Sequence, residues 1–143
     1  MNISLREASD KDIAFARSVY FETMRWIIER LFGSDQLREE KKFEEFFSLD
    51  EAQIIVADGQ DVGWIAEQVN NESVNIGSFY VIPQMQSRGI GTRVLQMLMV
   101  EARGQSKAMT LAVVKFNPAL RFYERNGFRV TSEDQYKFYL SAK

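Results

Sequence analysis

Apolar residues recur every three or four positions in four segments of the chain, which predicts four helices. The clearest helix follows an N-cap at Ser9 and Asp10 and carries Ile13, Ala16 and Tyr20 on one face. A glycine stands at the expected end of three of the four helices, where it can stop a helix. The helical segments cover residues 9–33, 35–48, 86–104 and 117–127.

Shorter runs rich in β-branched and aromatic residues predict about seven strands. Turn sequences at 58–59 and 70–71 fit an antiparallel meander. A helix lies between the strands at 73–81 and 109–115, which implies a parallel pair in a mixed sheet. We therefore predict an α+β fold of order β-α-α-β-β-β-α-β-α-β-β, a central twisted mixed sheet with helices on both faces. The strands cover residues 2–7, 52–57, 62–69, 73–81, 109–115, 128–131 and 136–140.

Composition narrows the function. The 143 residues contain no repeat or linker, which predicts a single domain over residues 1–143. A net charge of −2 argues against a nucleic-acid partner, and no apolar run is long enough for a membrane span. Residues 1–6 do not begin a signal peptide, so we expect a soluble, cytoplasmic protein. The chain has neither Cys nor His, which excludes thiolate nucleophiles, Ser-His-Asp triads and metal sites built on those residues; we expect no metal.

The sharpest chemical signal is the sequence QSRGIGT at residues 86–92, which opens the third helix. Gly89 and Gly91 allow strained backbone angles and the close approach of a ligand, and a helix start favours an anion. Two arginines in or beside this turn add positive charge. The turn is therefore a candidate cradle for phosphate or pyrophosphate. The Walker pattern is absent, and Val94 stands where a dinucleotide fingerprint needs Gly or Ala.

Residues 81–103, VIPQMQSRGIGTRVLQMLMVEAR, resemble the acetyl-coenzyme A loop of the GNAT superfamily of N-acetyltransferases. The family pattern Gln/Arg-x-x-Gly-x-Gly/Ala is matched by Gln86, Gly89 and Gly91. A second family signature is an Asn followed by a helix that carries Tyr and ends in Gly-Phe. It is matched by NPALRFYERNGF at residues 117–128. The order of elements also fits the family, so the resemblance extends over essentially the whole chain.

The resemblance implies an N-acetyltransferase that uses acetyl-coenzyme A as co-substrate and moves its acetyl group directly to a primary amine. Backbone amides of the glycine-rich turn would hold the pyrophosphate. The strand before the turn would pair with the pantetheine arm, while its parallel neighbour splays away. Asn117 would hydrogen-bond near the pantetheine, and Tyr123 would lie beside the thioester sulfur. The residues implied for cofactor binding are Phe79, Tyr80, Val81, Gln86, Ser87, Arg88, Gly89, Ile90, Gly91, Thr92 and Asn117.

Acetyl transfer from a thioester to an amine involves two proton transfers, and side chains can serve as the acid and the base. The expelled thiolate needs a proton, and a phenol with a pKa of about 10 can donate one at neutral pH, which favours Tyr123 as the acid. In the alternative, Tyr123 is only a core aromatic. The amine must lose a proton, but Asn75 stands where many family members carry a Glu. Glu67 and Glu72 are the nearest carboxylates; Glu67 is the candidate base, with a solvated surface position as its alternative. An amine of low pKa needs no dedicated base.

The acceptor pocket is expected to be built by the first two helices, their connection and the turn at Glu133 and Asp134. Its candidate residues for a cationic amine, through stacking and charge, are Tyr20, Glu22, Trp26, Glu29 and Phe32. Core packing or a solvated face is the alternative for each of them. The charge run REEKK at residues 38–42 is expected to be an exposed helix face.

Three functions compete. The first is a direct acetyltransferase, since the chain has no Cys and no serine in a nucleophile-elbow setting. The second is a non-catalytic acyl-coenzyme A-binding regulatory module, and the third is an interaction domain whose loop no longer binds the cofactor. Tyr123 favours the enzyme, and the intact glycines argue against the third function. The expected partner is a small-molecule or peptide amine, with no nucleic acid and no membrane. The C-terminal edge strands are compatible with a homodimer.

Overall fold

The structure, a computed structural model, describes residues 1–33 and 35–143. These residues form the predicted α+β fold, with strands and α-helices in the predicted order. Short 3-10 helices cover Asp10–Asp12 and Pro83–Met85. The strands β1 to β7 are Ile3–Glu7, Ala52–Ala57, Gln60–Val69, Ser73–Val81, Ala108–Val114, Arg129–Glu133 and Lys137–Ala142. The helices α1 to α4 are Ile13–Phe32, Gln36–Phe46, Ile90–Gly104 and Ala119–Arg125.

The strands form one mixed sheet in the order β1-β2-β3-β4-β5-β7-β6. The chain divides into two compact units, which are described separately below. The first unit comprises Met1–Ala66 and Ser78–Ile90, and the second comprises Glu67–Gly77 and Gly91–Lys143. Strands β3 and β4 therefore contribute residues to both units.

In the first unit, β2 pairs antiparallel with both β1 and β3. The turn between β2 and β3 has left-handed backbone at Asp58 and Gly59, with φ of 50° and 81°, as a two-residue hairpin turn requires. Trp64 of β3 is 1% exposed, and its indole N–H donates to the carbonyl of Ala16 in α1 at 3.0 Å. The Trp64 ring also meets Phe43 of α2 edge-on, with centroids 6.3 Å apart. One buried indole thus holds both helices against β3.

In the second unit, β5 pairs parallel with β4 and antiparallel with β7, which in turn pairs with β6. The parallel register runs from Ser73 opposite Ala108 to Ile76 opposite Leu111, and it confirms the predicted crossover through α3. The predicted apolar face of α3 is buried and consists of Val94, Leu95, Leu98, Met99 and Ala102. The edge strand β6 is exposed along its length.

The charge run at residues 38–42 of α2 is not the exposed face that its composition predicts. Glu39 is only 6% exposed. Lys42 is half-buried, and its Nζ lies 4.2 Å from the centroid of the Phe32 ring. The physical reason is helical spacing, since Glu39 lies one turn before the buried Phe43 and therefore shares its face.

Candidate functional site

The loop between β4 and α3, residues 82–89, contains two residues with left-handed backbone. Ser87 has a φ of 61° and Gly89 a φ of 81°. Glycine adopts this conformation readily because it has no Cβ, and a Cβ built on Gly89 would meet no described atom within 4 Å. Both residues and the intervening Arg88 are exposed. Turns of this kind present successive backbone N–H groups on one concave side, which is the arrangement that binds anions.

The loop is braced from its N-terminal side by Gln86. The backbone N–H of Gln86 donates to the carbonyl of Pro83 at 3.2 Å. Its side chain turns back toward the strand, and Nε2 donates to the carbonyl of Val81 at 2.9 Å. The Gln86 side chain therefore links the strand end to the loop, which explains why a glutamine at this position suits the loop.

The start of α3 differs in one detail from the prediction made for Gly91. Gly91 lies inside the helix, which begins at Ile90, so left-handed backbone is present at Gly89 and not at Gly91. At Gly91 the absence of a side chain is the relevant property, because it lets a ligand approach the first turn closely. Ile90 is 1% exposed and anchors the loop in the core, and the first turn carries no acidic residue. Helix starts of this composition favour a bound anion.

The end of β4, residues 79–81, is half-buried. The ring of Tyr80 lies 5.2 Å from that of Trp64 and 5.5 Å from that of Tyr20, measured between centroids. A Cβ at Gly63 would collide with the carbonyl oxygen of Tyr80, so glycine there lets β3 and β4 approach each other. The last residues of β4 are thus held in place by the aromatic core of the first unit.

Asn117 caps α4 with its own side chain, as its sequence position predicts. Its Oδ1 accepts a hydrogen bond from the backbone N–H of Ala119 at 2.9 Å. Its backbone N–H donates to the carbonyl of Val114 at 2.9 Å, which ties the helix start to the end of β5. Asn117 is half-buried, and its side-chain N–H groups bond to no described residue. They are therefore available as donors.

Tyr123 lies in the middle of α4 and is half-buried. Its ring packs edge-on against Phe128, with centroids 5.8 Å apart, and also contacts Phe122 at 5.2 Å. Burial raises the pKa of its hydroxyl above the ordinary value of 10.0. The hydroxyl bonds to no residue that the structure describes. The ring is thus fixed by packing, while the hydroxyl keeps its proton throughout the neutral range.

Glu67, on the part of β3 that belongs to the second unit, is half-buried and not simply solvated. Burial raises the pKa of its carboxyl above the usual 4.5, and the charge of Glu101 on α3 raises it further. A carboxylate with a raised pKa is a stronger base once it has lost its proton. Glu72, the other carboxylate near this region, is exposed.

Asn75, at the position where the resemblance leads one to expect a Glu, is part of a hydrogen-bonded row in the second unit. Its Oδ1 accepts from the hydroxyl of Thr110 on β5 at 3.0 Å. Its Nδ2 donates to Oε1 of Gln68 on β3 at 2.8 Å. The side chain therefore links three neighbouring strands, and an amide at this position cannot serve as a base.

The residues predicted to shape the acceptor pocket have three different surroundings. Tyr20 is half-buried in the aromatic core, with ring centroids of Phe21, Phe43, Phe46 and Tyr80 at 5.2, 5.6, 5.2 and 5.5 Å. Phe32 is 48% exposed, and two of the chain's own cations lie near its ring, Arg38 at 5.3 Å and Lys42 at 4.2 Å from the centroid. Glu22, Trp26 and Glu29 are exposed.

The turn predicted to complete that pocket, Glu133 and Asp134, has partners inside the second unit. Nζ of Lys115 lies 2.8 Å from Oε2 of Glu133. Asp134 accepts a hydrogen bond from the hydroxyl of Tyr139 at 2.7 Å and two more from backbone N–H groups. These bonds, the Tyr139 hydroxyl first, hold the pKa of Asp134 below its usual range. Both carboxylates thus stabilise the turn itself.

A cavity between α1 and α2, within the first unit, is lined in part by Glu39, a residue that the sequence did not indicate as a site residue. The cavity has a volume of about 90 Å³ and includes Phe21, Arg25, Ile28 and Glu39 in its lining. The Oε1 atom of Glu39 is buried and accepts no hydrogen bond from the described residues. The available signal was the spacing of Glu39 from Phe43, since composition alone placed Glu39 on an exposed face.

Within residues 1–33 and 35–143, no group of three or more Asp or Glu side chains is placed to hold a metal ion. No helix in that part of the chain combines the length and the apolar character that a membrane span needs.

The sequence matches the family profile described as Acetyltransferase (GNAT) domain over residues 50–130, more than half of the 143 residues. A comparison with curated protein sequences gave no significant match. PaiA N-acetyltransferase from Thermoplasma acidophilum, solved in complex with coenzyme A, is similar over 100% of this chain and 99% of its own. Its TM-score is 0.78 and its sequence identity 21%.

Two further solved structures show the same fold. Naa50 from Arabidopsis thaliana, in complex with the bisubstrate analogue CoA-Ac-MVNAL, has a TM-score of 0.70 and 20% identity, over 100% of this chain and 99% of its own. N-acetylglutamate synthase from Neisseria gonorrhoeae, complexed with coenzyme A and N-acetyl-glutamate, also has a TM-score of 0.70 and 20% identity. That match covers 99% of this chain and 35% of the synthase chain.

Proposed function

Because the chain belongs to the GNAT family of acetyltransferases, we propose that it is an acetyl-coenzyme A-dependent N-acetyltransferase that moves the acetyl group directly to a primary amine. The observation that carries this proposal is the exposed loop with left-handed Ser87 and Gly89 immediately before α3. Such a loop combines backbone N–H donors with the positive end of a helix, which suits a pyrophosphate. The similar proteins that were solved with coenzyme A support the same co-substrate.

The residues of this loop fit a pyrophosphate. Gly89 leaves open space where a side chain would stand, and the exposed Arg88 adds a positive charge. The residues that would hold the pyrophosphate, chiefly through their backbone, are Gln86, Ser87, Arg88, Gly89, Ile90, Gly91 and Thr92. When bound, acetyl-coenzyme A supplies the acetyl group as an activated thioester.

The end of β4 and the start of α4 would hold the pantetheine arm. The parallel register with β5 covers β4 through Ile76, whereas β4 continues to Val81. Phe79, Tyr80 and Val81 would bond through their backbone to the amide groups of the arm, in the manner of an added strand. Asn117 would donate a side-chain N–H to the arm while its Oδ1 continues to cap α4.

Tyr123 is the proposed general acid. Burial keeps its phenol protonated at neutral pH, and the packing of its ring against Phe128 fixes the direction of the hydroxyl. Tyr123 would hold its proton at Oη and donate it to the departing thiolate sulfur. Its proton would then be restored from solvent. A direct transfer of this kind needs no nucleophile on the protein, which agrees with the absence of Cys.

Glu67 is the proposed general base, acting on the acceptor amine through a water molecule. A base works only when deprotonated, so kcat/KM should rise as pH increases through the pKa of Glu67, which lies above the usual 4.5. Glu67→Gln should lower the rate by about 10²-fold and remove that acidic limb. The control Glu72→Gln removes an exposed carboxylate and should change neither. An unchanged limb in Glu67→Gln would show that the amine loses its proton to solvent.

The proposed function is tested by mixing the purified chain with acetyl-coenzyme A and a panel of amines, and measuring the release of free thiol. The panel contains small amines, peptides with free N-termini and peptides with lysine. We expect thiol release that depends on the amine. Binding of acetyl-coenzyme A without release over the whole panel would instead identify a non-catalytic binding module. Absence of binding would overturn the assignment of the loop.

A further inference from the structure

Two carboxylates in the described part of the first unit are buried to the same degree, Asp12 at 7% exposed and Glu39 at 6%. Asp12 accepts hydrogen bonds from both terminal nitrogens of Arg6, at 2.8 and 2.9 Å, and from the backbone N–H of Ser9 at 2.9 Å. For Glu39, by contrast, Oε1 accepts no hydrogen bond within residues 1–33 and 35–143. A buried carboxylate oxygen without a donor is unfavourable. A donor that arrives with a ligand would relieve this cost.

The surroundings of Glu39 provide room for a small group. Glu39 lies in the wall of the cavity between α1 and α2, whose volume of about 90 Å³ exceeds the space that one water molecule needs. Phe21 and Ile28, each 7% exposed, contribute apolar wall. Apolar wall beside one buried carboxylate matches the end of an alkylammonium chain, a charged nitrogen with the methylenes beside it.

The charges around the cavity also favour a cation. Three carboxylates line it, those of Glu29, Asp35 and Glu39, against one guanidinium, that of Arg25. The Arg25 guanidinium lies over the Phe21 ring at 6.0 Å from its centroid. Burial and, second to it, the charge of Glu39 raise the pKa of the neighbouring Tyr20 to about 12. The hydroxyl of Tyr20 and the carboxyl of Glu39 are therefore close enough to interact electrostatically.

The chemistry of acetyl transfer indicates whether the ammonium group bound at Glu39 is the nitrogen that receives the acetyl group or another nitrogen of the acceptor. An ammonium group in direct contact with a carboxylate keeps its proton, because the opposite charge raises the pKa of the amine. Glu67 differs, because it is proposed to act through a water molecule. The nitrogen that attacks the thioester must be neutral, so a nitrogen bound at Glu39 is not the attacking one. Resting on the proposed acetyltransferase function, we propose that Glu39 binds a second ammonium group of the acceptor, and that the acceptors are aliphatic diamines.

Calorimetric titration of the chain with diaminobutane, in the absence of acetyl-coenzyme A, tests the site itself. We compare the unmodified chain with Glu39→Gln and with Glu45→Gln, which removes an exposed carboxylate from the same helix. The unmodified chain and Glu45→Gln should bind alike. Glu39→Gln should bind about tenfold more weakly or less, because a charge-assisted hydrogen bond is lost. Equal binding by Glu39→Gln would overturn the proposal.

Steady-state kinetics separates a binding role from a structural one. Glu39→Gln should raise KM for diaminobutane with little change in kcat, and should melt no lower than the unmodified chain, since an unpaired buried charge is removed. Butylamine, which has one nitrogen, should be a poor acceptor for both proteins. Binding at Glu39 without any thiol release would overturn the acetyltransferase proposal and keep the cation site. Turnover of diaminobutane that is indifferent to Glu39 would overturn the cation site alone.

Discussion

Two helix starts in this chain are built in opposite ways. The residue before α3 is Gly89, which has left-handed backbone and no side chain that could cap the helix. The start of α4 is closed by Asn117, whose Oδ1 accepts the N–H of Ala119 at 2.9 Å. An uncapped start offers its backbone to a ligand, whereas a self-capped start offers only its side chains. We therefore expect substitutions before α3 to abolish cofactor binding. Substitutions at the start of α4 or within it should alter the chemistry or the stability, and at most weaken cofactor binding.

The largest effect is expected at α4, where Tyr123→Phe removes one hydroxyl and keeps the ring against Phe128. If the hydroxyl protonates the thiolate, kcat should fall by about 10²–10⁴-fold, with the Kd of acetyl-coenzyme A unchanged. Tyr136→Phe, at a tyrosine that is 57% exposed, provides the control for loss of a phenol. The measurement is kcat with the best amine of the panel. Turnover of Tyr123→Phe within about threefold of the unmodified chain would leave Tyr123 as packing, since it lies far below a general-acid contribution.

The second-largest effect is expected from a substitution in the loop before α3, and it concerns cofactor binding. Gly89→Asp places a negative charge and a side chain where the pyrophosphate should bind. Acetyl-coenzyme A at 100 times its Kd should stabilise the unmodified chain by about 2.7 kcal/mol and the variant not at all, measured by thermal unfolding.

The matched control for that substitution is Gly59→Asp in the β2–β3 turn. Gly59 and Gly89 share a φ of 81°, and neither would bring a Cβ within 4 Å of a described atom. Both variants therefore carry the same backbone strain and the same added charge. An equal loss of cofactor stabilisation in the two variants would mean that strain or net charge, and not the location, is responsible.

The smallest effect is expected from Asn117→Ala. Loss of the cap should lower the free energy of unfolding by about 1 kcal/mol and should also weaken acetyl-coenzyme A binding. Asp35→Ala removes a comparable cap, because the Asp35 side chain accepts from the N–H of Arg38 at 3.2 Å at the start of α2. It should cost similar stability with no change in cofactor affinity. Denaturant unfolding measures the stability of both variants, and calorimetry measures their affinity for acetyl-coenzyme A. Unchanged affinity in Asn117→Ala would show that Asn117 only caps α4 and does not bind the cofactor.

Features that depend on neighbouring residues were predictable from the sequence. Strands 52–57 and 73–81 have the bounds that their composition predicted, and the Asp58-Gly59 turn and the Asn117 cap formed as expected. The glycine-rich loop was also predictable, because its backbone geometry depends on the few adjacent residues of one short motif. In each case the physical cause lies within a few residues of its effect.

Features that depend on packing between distant segments were not predictable. The burial of Glu39 depends on how α2 packs against α1, and composition alone suggested a solvated charge run. The raised pKa of Glu67 depends on burial and on Glu101 in another element. Ser87 adopts left-handed backbone without being glycine, so its residue type gave no signal. The acceptor is now proposed to bind at Glu39 and the base to be Glu67, which is why the sequence identified the cofactor more readily than the amine.

Direct transfer to an amine is tested most directly by mass spectrometry of every component of one reaction. With acetyl-coenzyme A alone, we expect the mass of the protein to stay unchanged. With diaminobutane added, we expect acetylated amine and free coenzyme A in equal amounts, and neither from Gly89→Asp. An acetyl group on the protein itself that passes to the amine would contradict direct transfer. Intact acetyl-coenzyme A with every amine of the panel would contradict the enzyme altogether.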